Sequence, residues 1–149
     1  CWATASEDMD SLTFGTKFLL RGFNSKKEPI TQIDLAAVLE GFNMTMDEFI
    51  DLCILCGCDY THSIGGIGPV KAFKLMEDNK NIERVLLKVK DANNKPDAKR
   101  KYIIPDNFLY TESRQLFKAP DVETEKDVLE SFLKWSKPVD EDIKEFLIN

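Results

Sequence analysis

Apolar and polar positions divide the chain into short strands near its start and helices over the rest. Apolar and alternating runs predict strands over residues 1–5, 16–23 and 30–34. A helical spacing of apolar side chains follows over residues 35–42 and again over residues 46–56. This order of elements is typical of an α/β protein.

The helix predicted from residue 46 has a capping box at its start. The Thr45 side chain can accept a hydrogen bond from the backbone three residues on, and Glu48 can reach back to the Thr45 amide. The helix is apolar almost all round, which indicates burial. It runs into Asp59 through residues 56–58, so we expect a rigid element to place this aspartate.

Further helices are predicted along the second half of the chain. Pro69 suits the first position of a helix, and residues 81–89 are amphipathic. Asp106 is predicted to cap a helix that spans residues 106–117. A final helix should begin at Asp140, where acidic residues favour the first turn. Residues 92–101 between these helices are predicted to form a basic loop.

Length and composition indicate one core. The chain has 149 residues, 43% of them hydrophobic, which suits one domain or part of one. We expect the later aromatic residues, among them Phe117, Phe132 and Phe146, to lie in that core. The chain starts without Met and without a signal-peptide pattern, so we expect a fragment that begins inside a strand. No apolar run approaches the roughly 20 residues that span a bilayer, and no membrane role is predicted.

Charge is distributed unevenly along the chain. The formal net charge is −6, which argues against a protein that coats itself in nucleic acid. Residues 71–101 nevertheless contain ten basic residues against five acidic ones. Two interpretations remain open for this stretch: a solvated helix face, or a surface that follows a phosphate backbone.

Three aspartates form the first candidate site. Asp8 and Asp10 lie in a polar turn after the first strand, and Asp59 follows the buried helix. Mg²⁺ prefers oxygen ligands, keeps several waters and is usually held by a few carboxylates with substrate phosphate. The alternative, in which Asp8 and Asp10 solvate a turn and Asp59 caps a helix end, also fits the spacing.

A glycine-rich turn forms the second candidate site. Gly66 and Gly68 would let the backbone approach a phosphate, and the helix that follows offers unpaired N–H groups. Lys71 and Lys74 add positive charge. Such contacts position a nucleic-acid backbone without reading its bases. An ordinary turn between two helices is the structural alternative.

Cysteine spacing raises a third possibility. Cys53, Cys56, Cys58 and His62 could supply four zinc ligands. Cys53 and Cys56 lie inside the apolar helix, however, and the spacing matches no familiar zinc motif, so core packing is favoured. His62 is interpreted as a polar loop residue. Free thiols without a stapling pattern are typical of a cytosolic or nuclear protein.

Several motifs together resemble one enzyme family. Residues 5–15, 49–60 and 63–69 carry the resemblance, with weaker matches at residues 115–117 and 133–138. They are similar to the flap endonuclease family of structure-specific 5′ nucleases. The resemblance implies the C-terminal part of a PIN-like 5′ nuclease core with a mostly parallel sheet. It divides a single partial domain, 1–149, into a sheet and metal-ligand part (1–60), a helix-two-turn-helix element (61–80) and a helical remainder (81–149).

The resemblance also implies cofactors and partners. Asp8, Asp10 and Asp59 would help to bind two Mg²⁺ ions at the site of cleavage. A K⁺ ion would sit on backbone carbonyls of Ser63, Ile64 and Ile67, next to a downstream DNA duplex held by the helix-two-turn-helix element. The whole enzyme would cut 5′ flaps and act as a 5′–3′ exonuclease in DNA replication and repair. It would work in the nucleus, with the mitochondrion as a second location, and bind a sliding clamp, whose motif this chain lacks.

Two departures qualify the resemblance. Val70 and Gly65 stand where the family often has basic residues, so DNA binding should depend more on Lys71 and Lys74. The family's other metal carboxylates would precede Cys1, and we expect the chain alone to be inactive. The alternative function is a non-catalytic module that binds duplex DNA and uses its aspartates structurally.

Overall fold

The computed structural model describes residues 2–24, 29–96, 102–134 and 136–148. Strands occupy the first part of the chain: β1 (Thr4–Ala5), β2 (Phe18–Arg21) and β3 (Thr31–Asp34). The helices are α1 (Asp10–Thr13), α2 (Leu35–Phe42), α3 (Met46–Cys56), α4 (Pro69–Asn79), α5 (Ile82–Asn93), α6 (Tyr110–Lys118), α7 (Lys126–Phe132) and α8 (Asp140–Ile148). This order confirms the predicted α/β class, with helices predominating in the second half.

The sheet is mixed rather than mostly parallel. Its order is β1-β2-β3, with β1 parallel to β2 and β2 antiparallel to β3. Two residues of β1 pair with β2, whereas four residues of β3 do so. Strands β2 and β3 are consecutive in the chain and pair directly with each other. A short connection allows this for antiparallel strands, whereas parallel strands need a longer crossover.

Helix α3 lies at the centre of the molecule. The predicted capping box is present: Glu48 N–H donates to Thr45 Oγ1 at 3.3 Å, and Thr45 N–H donates to Glu48 Oε2 at 2.7 Å. A threonine cap of this kind contributes about 1 kcal/mol. Ile54 and Leu55 are fully buried, and Phe49 packs against the sheet. Helix α3 contacts α1, α4, α5 and α6. These contacts fix the C-terminal end of α3, which Asp59 follows.

The next two helices also begin where the sequence predicts. Pro69 occupies the first turn of α4, with Gly68 as its N-cap. Asn81 caps α5 by accepting from the Arg84 amide at 3.0 Å. Helix α5 extends to Asn93, so part of the predicted basic loop is helical, and residues 97–101 lie outside the described residues.

Three expectations were wrong. Asp106 does not cap α6, whose N-cap is Leu109, because the chain first makes a turn in which Phe108 N–H donates to Pro105 C=O at 3.2 Å. A short helix, α1, begins at Asp10, which was expected to lie in a polar turn. Phe132 and Phe146 are about four-fifths exposed rather than in the core, whereas Phe117 is buried as predicted.

Helices α7 and α8 contribute nothing to the buried core among the described residues. The acidic first turn predicted for α8 at Asp140 is confirmed. None of the helices in the described ranges combines the length and the apolar character needed to cross a membrane.

Candidate metal and nucleic-acid site

The acidic turn after β1 is ordered by its own side chains. Ser6 Oγ accepts from the Asp8 amide, and Asp8 Oδ1 accepts from the Asp10 amide, each at 3.0 Å. Asp10 is the first residue of α1 and is half-buried, whereas Asp8 is exposed. One Asp8 oxygen therefore accepts from the first residue of the short helix, and the turn presents both carboxylates from a defined backbone.

Glu7 belongs to the same turn but has different partners. Its carboxylate accepts from the Gly22 amide at 2.8 Å and lies 3.6 Å from Arg21 Nε. It therefore ties the acidic turn to the end of β2.

Asp59 lies in a tight turn just beyond α3. Gly57 ends the helix with φ +114°, and Cys58 pairs with Thr61 across the turn. The Leu109 amide donates to Thr61 Oγ1 at 2.8 Å, which ties this turn to the start of α6. The exposed Asp59 carboxylate is thus carried by a turn that is held at both ends.

The structure brings the three predicted aspartates into one electrostatic neighbourhood. Burial raises the pKa of Asp10 above its usual value, and the charges of Asp8 and Asp59 raise it further. Burial and the charges of Asp10, Asp59 and Asp8 likewise raise the pKa of the Tyr60 phenol. Two segments separated by about fifty residues therefore concentrate negative charge at one place.

The carboxylates do not form a closed metal cage. In the part of the chain that the structure describes, no three His, Cys, Asp or Glu side chains converge as metal ligands. The donor set nevertheless fits Mg²⁺, which takes hard oxygen ligands, keeps waters and needs only one or two carboxylates from a protein. A bound cation would also offset the charges of Asp8 and Asp59, which add to the effect of burial on the Asp10 pKa.

The glycine turn is attached to the segment before α6. Gly65 and Ile103 exchange backbone hydrogen bonds at 2.7 and 3.1 Å. Gly66 adopts φ +88°, and a Cβ at this position would lie 3.4 Å from Cδ1 of Tyr102. Gly68, by contrast, has open space around its Cα. The turn therefore needs a glycine at position 66 for conformational reasons.

The residues predicted to hold K⁺ occupy this turn. Ile64 and Ile67 anchor it in the core with exposures of 1% and 7%, and Ser63 is exposed. The Ile64 carbonyl accepts from the Ile67 amide at 3.1 Å. A carbonyl oxygen has a second lone pair, so this bond leaves it able to coordinate a cation. The K⁺ assignment stays a prediction.

Lys71 and Lys74 differ in their surroundings. Lys71 Nζ donates to the Gly66 carbonyl at 3.0 Å and lies 4.8 Å from the centre of the Tyr102 ring. Asn93 holds the same tyrosine by exchanging two hydrogen bonds with its backbone, at 2.7 and 2.8 Å. Lys74 is exposed on the next turn of α4. Lys71 thus supports the turn, whereas Lys74 is free to face a ligand.

The cysteine cluster is not a zinc site in this structure. Cys53, Cys56, Cys58 and His62 all lie in the described ranges, and no three of them converge as metal ligands. Burial raises the pKa of the Cys53 thiol to about 11 despite a hydrogen bond from Thr13. Burial also raises the pKa of Cys56. Neutral, partly buried thiols agree with the favoured interpretation that these cysteines pack in the core.

An apolar groove of about 550 Å³ borders both candidate sites. Asp10 and Met9 line it beside the acidic turn, and Pro69 and Val70 line it at the start of α4. The groove therefore extends from the acidic turn to the start of α4.

Comparison with known proteins identifies the family to which the chain is related. The family model of the XPG I-region matches residues 1–59. Flap endonuclease 1 of Tetrahymena thermophila is 47% identical over 147 residues, which is 99% of this chain and 38% of that protein. The chain belongs to the flap endonuclease family. It spans less than two-fifths of the length of that relative.

Solved structures support the same fold. The flap endonuclease-1 from Methanococcus jannaschii is 28% identical with a TM-score of 0.60, covering 82% of this chain and 33% of that one. A Holliday junction-resolving enzyme solved with product DNA and Mg²⁺ has a TM-score of 0.68 at 22% identity, covering 97% of this chain and 40% of that one. The PIN-like 5′ nuclease fold expected of a flap endonuclease segment is thereby confirmed.

Sequence reasoning missed the aromatic and ionic contacts around this candidate site. Phe14 and Tyr60 both pack against Phe117, and Arg114 pairs with Asp51. Each contact joins residues more than forty positions apart. Local periodicity does not report such pairs. The only signal in the sequence is the presence of large aromatic residues near the acidic segments.

Proposed function

We propose that this chain is part of the nuclease core of a structure-specific 5′ flap endonuclease. The whole protein would hydrolyse DNA phosphodiester bonds near 5′ flaps and act as a 5′–3′ exonuclease in replication and repair. The observation that carries the proposal is the gathering of Asp8, Asp10 and Asp59 in a chain 47% identical to flap endonuclease 1 of Tetrahymena thermophila.

The three aspartates would hold divalent metal, two Mg²⁺ ions in the whole enzyme. When bound, such ions supply an activated water and stabilise the leaving oxygen. The residues of this chain would contribute negative charge and would hold the carboxylates in position. The Asp8 side chain fixes the first turn of α1 and thereby Asp10, while the turn after α3 presents Asp59.

The glycine turn and α4 would hold the downstream duplex. Gly66 and Gly68 keep the backbone open to a phosphate, Lys74 extends into solvent, and Lys71 steadies the turn. A K⁺ ion on the carbonyls of Ser63, Ile64 and Ile67 would add positive charge beside that phosphate. DNA is a partner by analogy with the junction-resolving enzyme whose structure contains product DNA.

Two further features belong to the whole protein. A sliding clamp would recruit it to replicating DNA, through a motif outside this chain. Its work would take place in the nucleus or mitochondrion. Co-precipitation with the clamp and imaging of a tagged full-length protein test these two points.

The test of the proposal is cleavage by the full-length protein. Asp59→Asn should lower the rate of 5′-flap cleavage by roughly three orders of magnitude, or about 4 kcal/mol of barrier, because it removes a metal-binding carboxylate. Duplex binding measured in Ca²⁺ should stay within about twofold. Asp127→Asn, at an exposed carboxylate in the first turn of α7, is the matched control and should cleave normally. Unchanged turnover in Asp59→Asn would refute the metal assignment.

The non-catalytic module makes a different prediction. It requires the full-length protein to bind duplex DNA without cutting it at any Mg²⁺ or Mn²⁺ concentration. The accumulation of three carboxylates favours the nuclease, since a DNA-binding surface gains nothing from negative charge. The 149-residue chain alone should be inactive, because it supplies three of the expected carboxylates. Metal-dependent flap cleavage by that chain would contradict this expectation.

A further inference from the structure

The two acidic segments meet through three aromatic rings. We call Phe14, Tyr60 and Phe117 the aromatic triad. The Phe117 ring centre lies 4.9 Å from that of Phe14 and 5.2 Å from that of Tyr60. The Phe14 and Tyr60 rings are 6.2 Å apart. Interplanar angles of 60°, 79° and 83° make all three contacts edge-to-face, the geometry that aromatic pairs favour.

Phe14 and Tyr60 are each linked through the backbone to an acidic residue. The Phe14 amide donates to the Asp10 carbonyl at 2.9 Å, closing the single turn of α1. Tyr60 is the covalent neighbour of Asp59. The packing of these two rings on Phe117 therefore constrains the backbone that carries Asp10 and Asp59.

Phe117 is held more firmly than its two partners. It is 3% exposed, whereas Phe14 and Tyr60 are each 38% exposed. Its helix, α6, is fixed to α3 by Arg114, which donates to both oxygens of the buried Asp51. The start of α6 donates from Leu109 to Thr61 in the Asp59 turn. Helix α6 thus contacts the Asp59 turn near both ends and the Asp10 turn through Phe117.

We propose that Phe117 is a positioning residue that holds Asp10 and Asp59 together for metal binding. Carboxylates brought close to one another repel when no cation lies between them. Packing of Phe14 and Tyr60 on Phe117 opposes that repulsion and keeps the separation of the two segments fixed. This inference rests on the proposed function, and it adds that the metal affinity of the site is set in part by a residue that touches no metal.

The experiment measures Mn²⁺ binding by the full-length protein. Isothermal titration calorimetry would compare wild type with Phe117→Leu, and flap cleavage would be measured across Mg²⁺ concentrations. Phe117→Leu should weaken Mn²⁺ binding about three- to tenfold, the scale of losing two aromatic contacts. The Mg²⁺ concentration for half-maximal cleavage should rise by the same factor. The rate at saturating Mg²⁺ should stay within about twofold, which a general loss of folded protein would not allow.

Control variants distinguish the possible failures. Val85→Ala, at a fully buried position of α5 in the same core cluster, should leave Mn²⁺ binding unchanged. Phe14→Leu, at the partly exposed ring, should weaken Mn²⁺ binding in the same way. It replaces Phe117→Leu in the test if that variant does not fold. Asp59→Asn should lose Mn²⁺ affinity, and if it does not, the proposed metal site itself fails. If Asp59→Asn weakens binding but Phe117→Leu and Phe14→Leu match wild type or Val85→Ala, only the positioning role is overturned.

Discussion

The Arg114 guanidinium donates to both oxygens of the Asp51 carboxylate, at 2.7 and 2.9 Å, across 63 positions of sequence. Asp51 is 3% exposed and also accepts from the Ile82 amide at 3.1 Å. Arg114 continues to Glu83, whose pKa its hydrogen bonds lower. The pair thereby joins α3, α5 and α6.

Breaking this pair should destabilise the protein strongly. Arg114→Met leaves Asp51 buried without its cation, and we expect a loss of about 3–5 kcal/mol in the free energy of unfolding, measured by urea denaturation. Lys88→Met removes the exposed pair with Asp78 and should cost at most about 1 kcal/mol. A loss of similar size in the two variants would contradict a structural role for the buried pair.

Asp10 should oppose folding when no metal is bound. Its folded-state pKa is raised, so the stability gained from its protonation is present below the unfolded pKa and is lost as the pH rises through the folded pKa. Asp10→Asn should therefore stabilise the metal-free protein at pH 7 by up to about 1 kcal/mol, the range of solvent-screened charges. The gain should vanish at acid pH in urea denaturation. A variant less stable than wild type at pH 7 without metal would contradict this.

Glycine is required at one position of the turn and not at its neighbour. Gly66→Ala would place a side chain at φ +88° and should cost about 1–2 kcal/mol. Gly68 has open space around it, and Gly68→Ala should cost only about 0.5 kcal/mol for the altered helix cap. Thermal unfolding of the two variants checks the difference. Equal losses would show that the turn does not depend on the conformation of Gly66.

The two lysines of α4 should separate stability from DNA binding. Lys74→Ala should weaken duplex binding uniformly across sequences and lower the salt slope by about 1, with no change in melting temperature. Lys71→Ala should lower the melting temperature as well, because it removes the bond to Gly66 and the contact with Tyr102. Fluorescence anisotropy at several salt concentrations, combined with calorimetry, measures both. A Lys74→Ala protein with an unchanged salt slope would remove this residue from the proposed duplex surface.

Local signals predicted local structure well. The bounds of α2 were predicted at Leu35 and Phe42, and the cap at Thr45 and the proline at position 69 marked two more helix starts. The start of α6 was misplaced because Asp106 favours a cap and a turn equally, and only the bond from Phe108 to Pro105 distinguishes the two. The mixed sheet was missed because strand direction depends on pairing, which periodicity does not report.

The sequence points to the residues of the candidate site but not to the contacts that support them. Asp8, Asp10 and Asp59 follow from their types, their places after a strand and a helix, and the family resemblance. The packing of Phe14 and Tyr60 on Phe117 depends on where α6 lies, and that is a tertiary contact. Sequence patterns therefore identify the charged groups of this site, whereas the separation between them is a property of the folded core.

The most direct test of the central claim is the position of bound Mn²⁺. Crystals of the full-length protein soaked in MnCl₂ should show an anomalous peak within about 2.5 Å of oxygens from at least two of Asp8, Asp10 and Asp59, since hard cations bind carboxylates at such distances. Crystals of Asp59→Asn provide the control and should lose or weaken that peak. Mn²⁺ bound elsewhere in the wild-type crystals, with no peak beside these aspartates, would contradict the assignment.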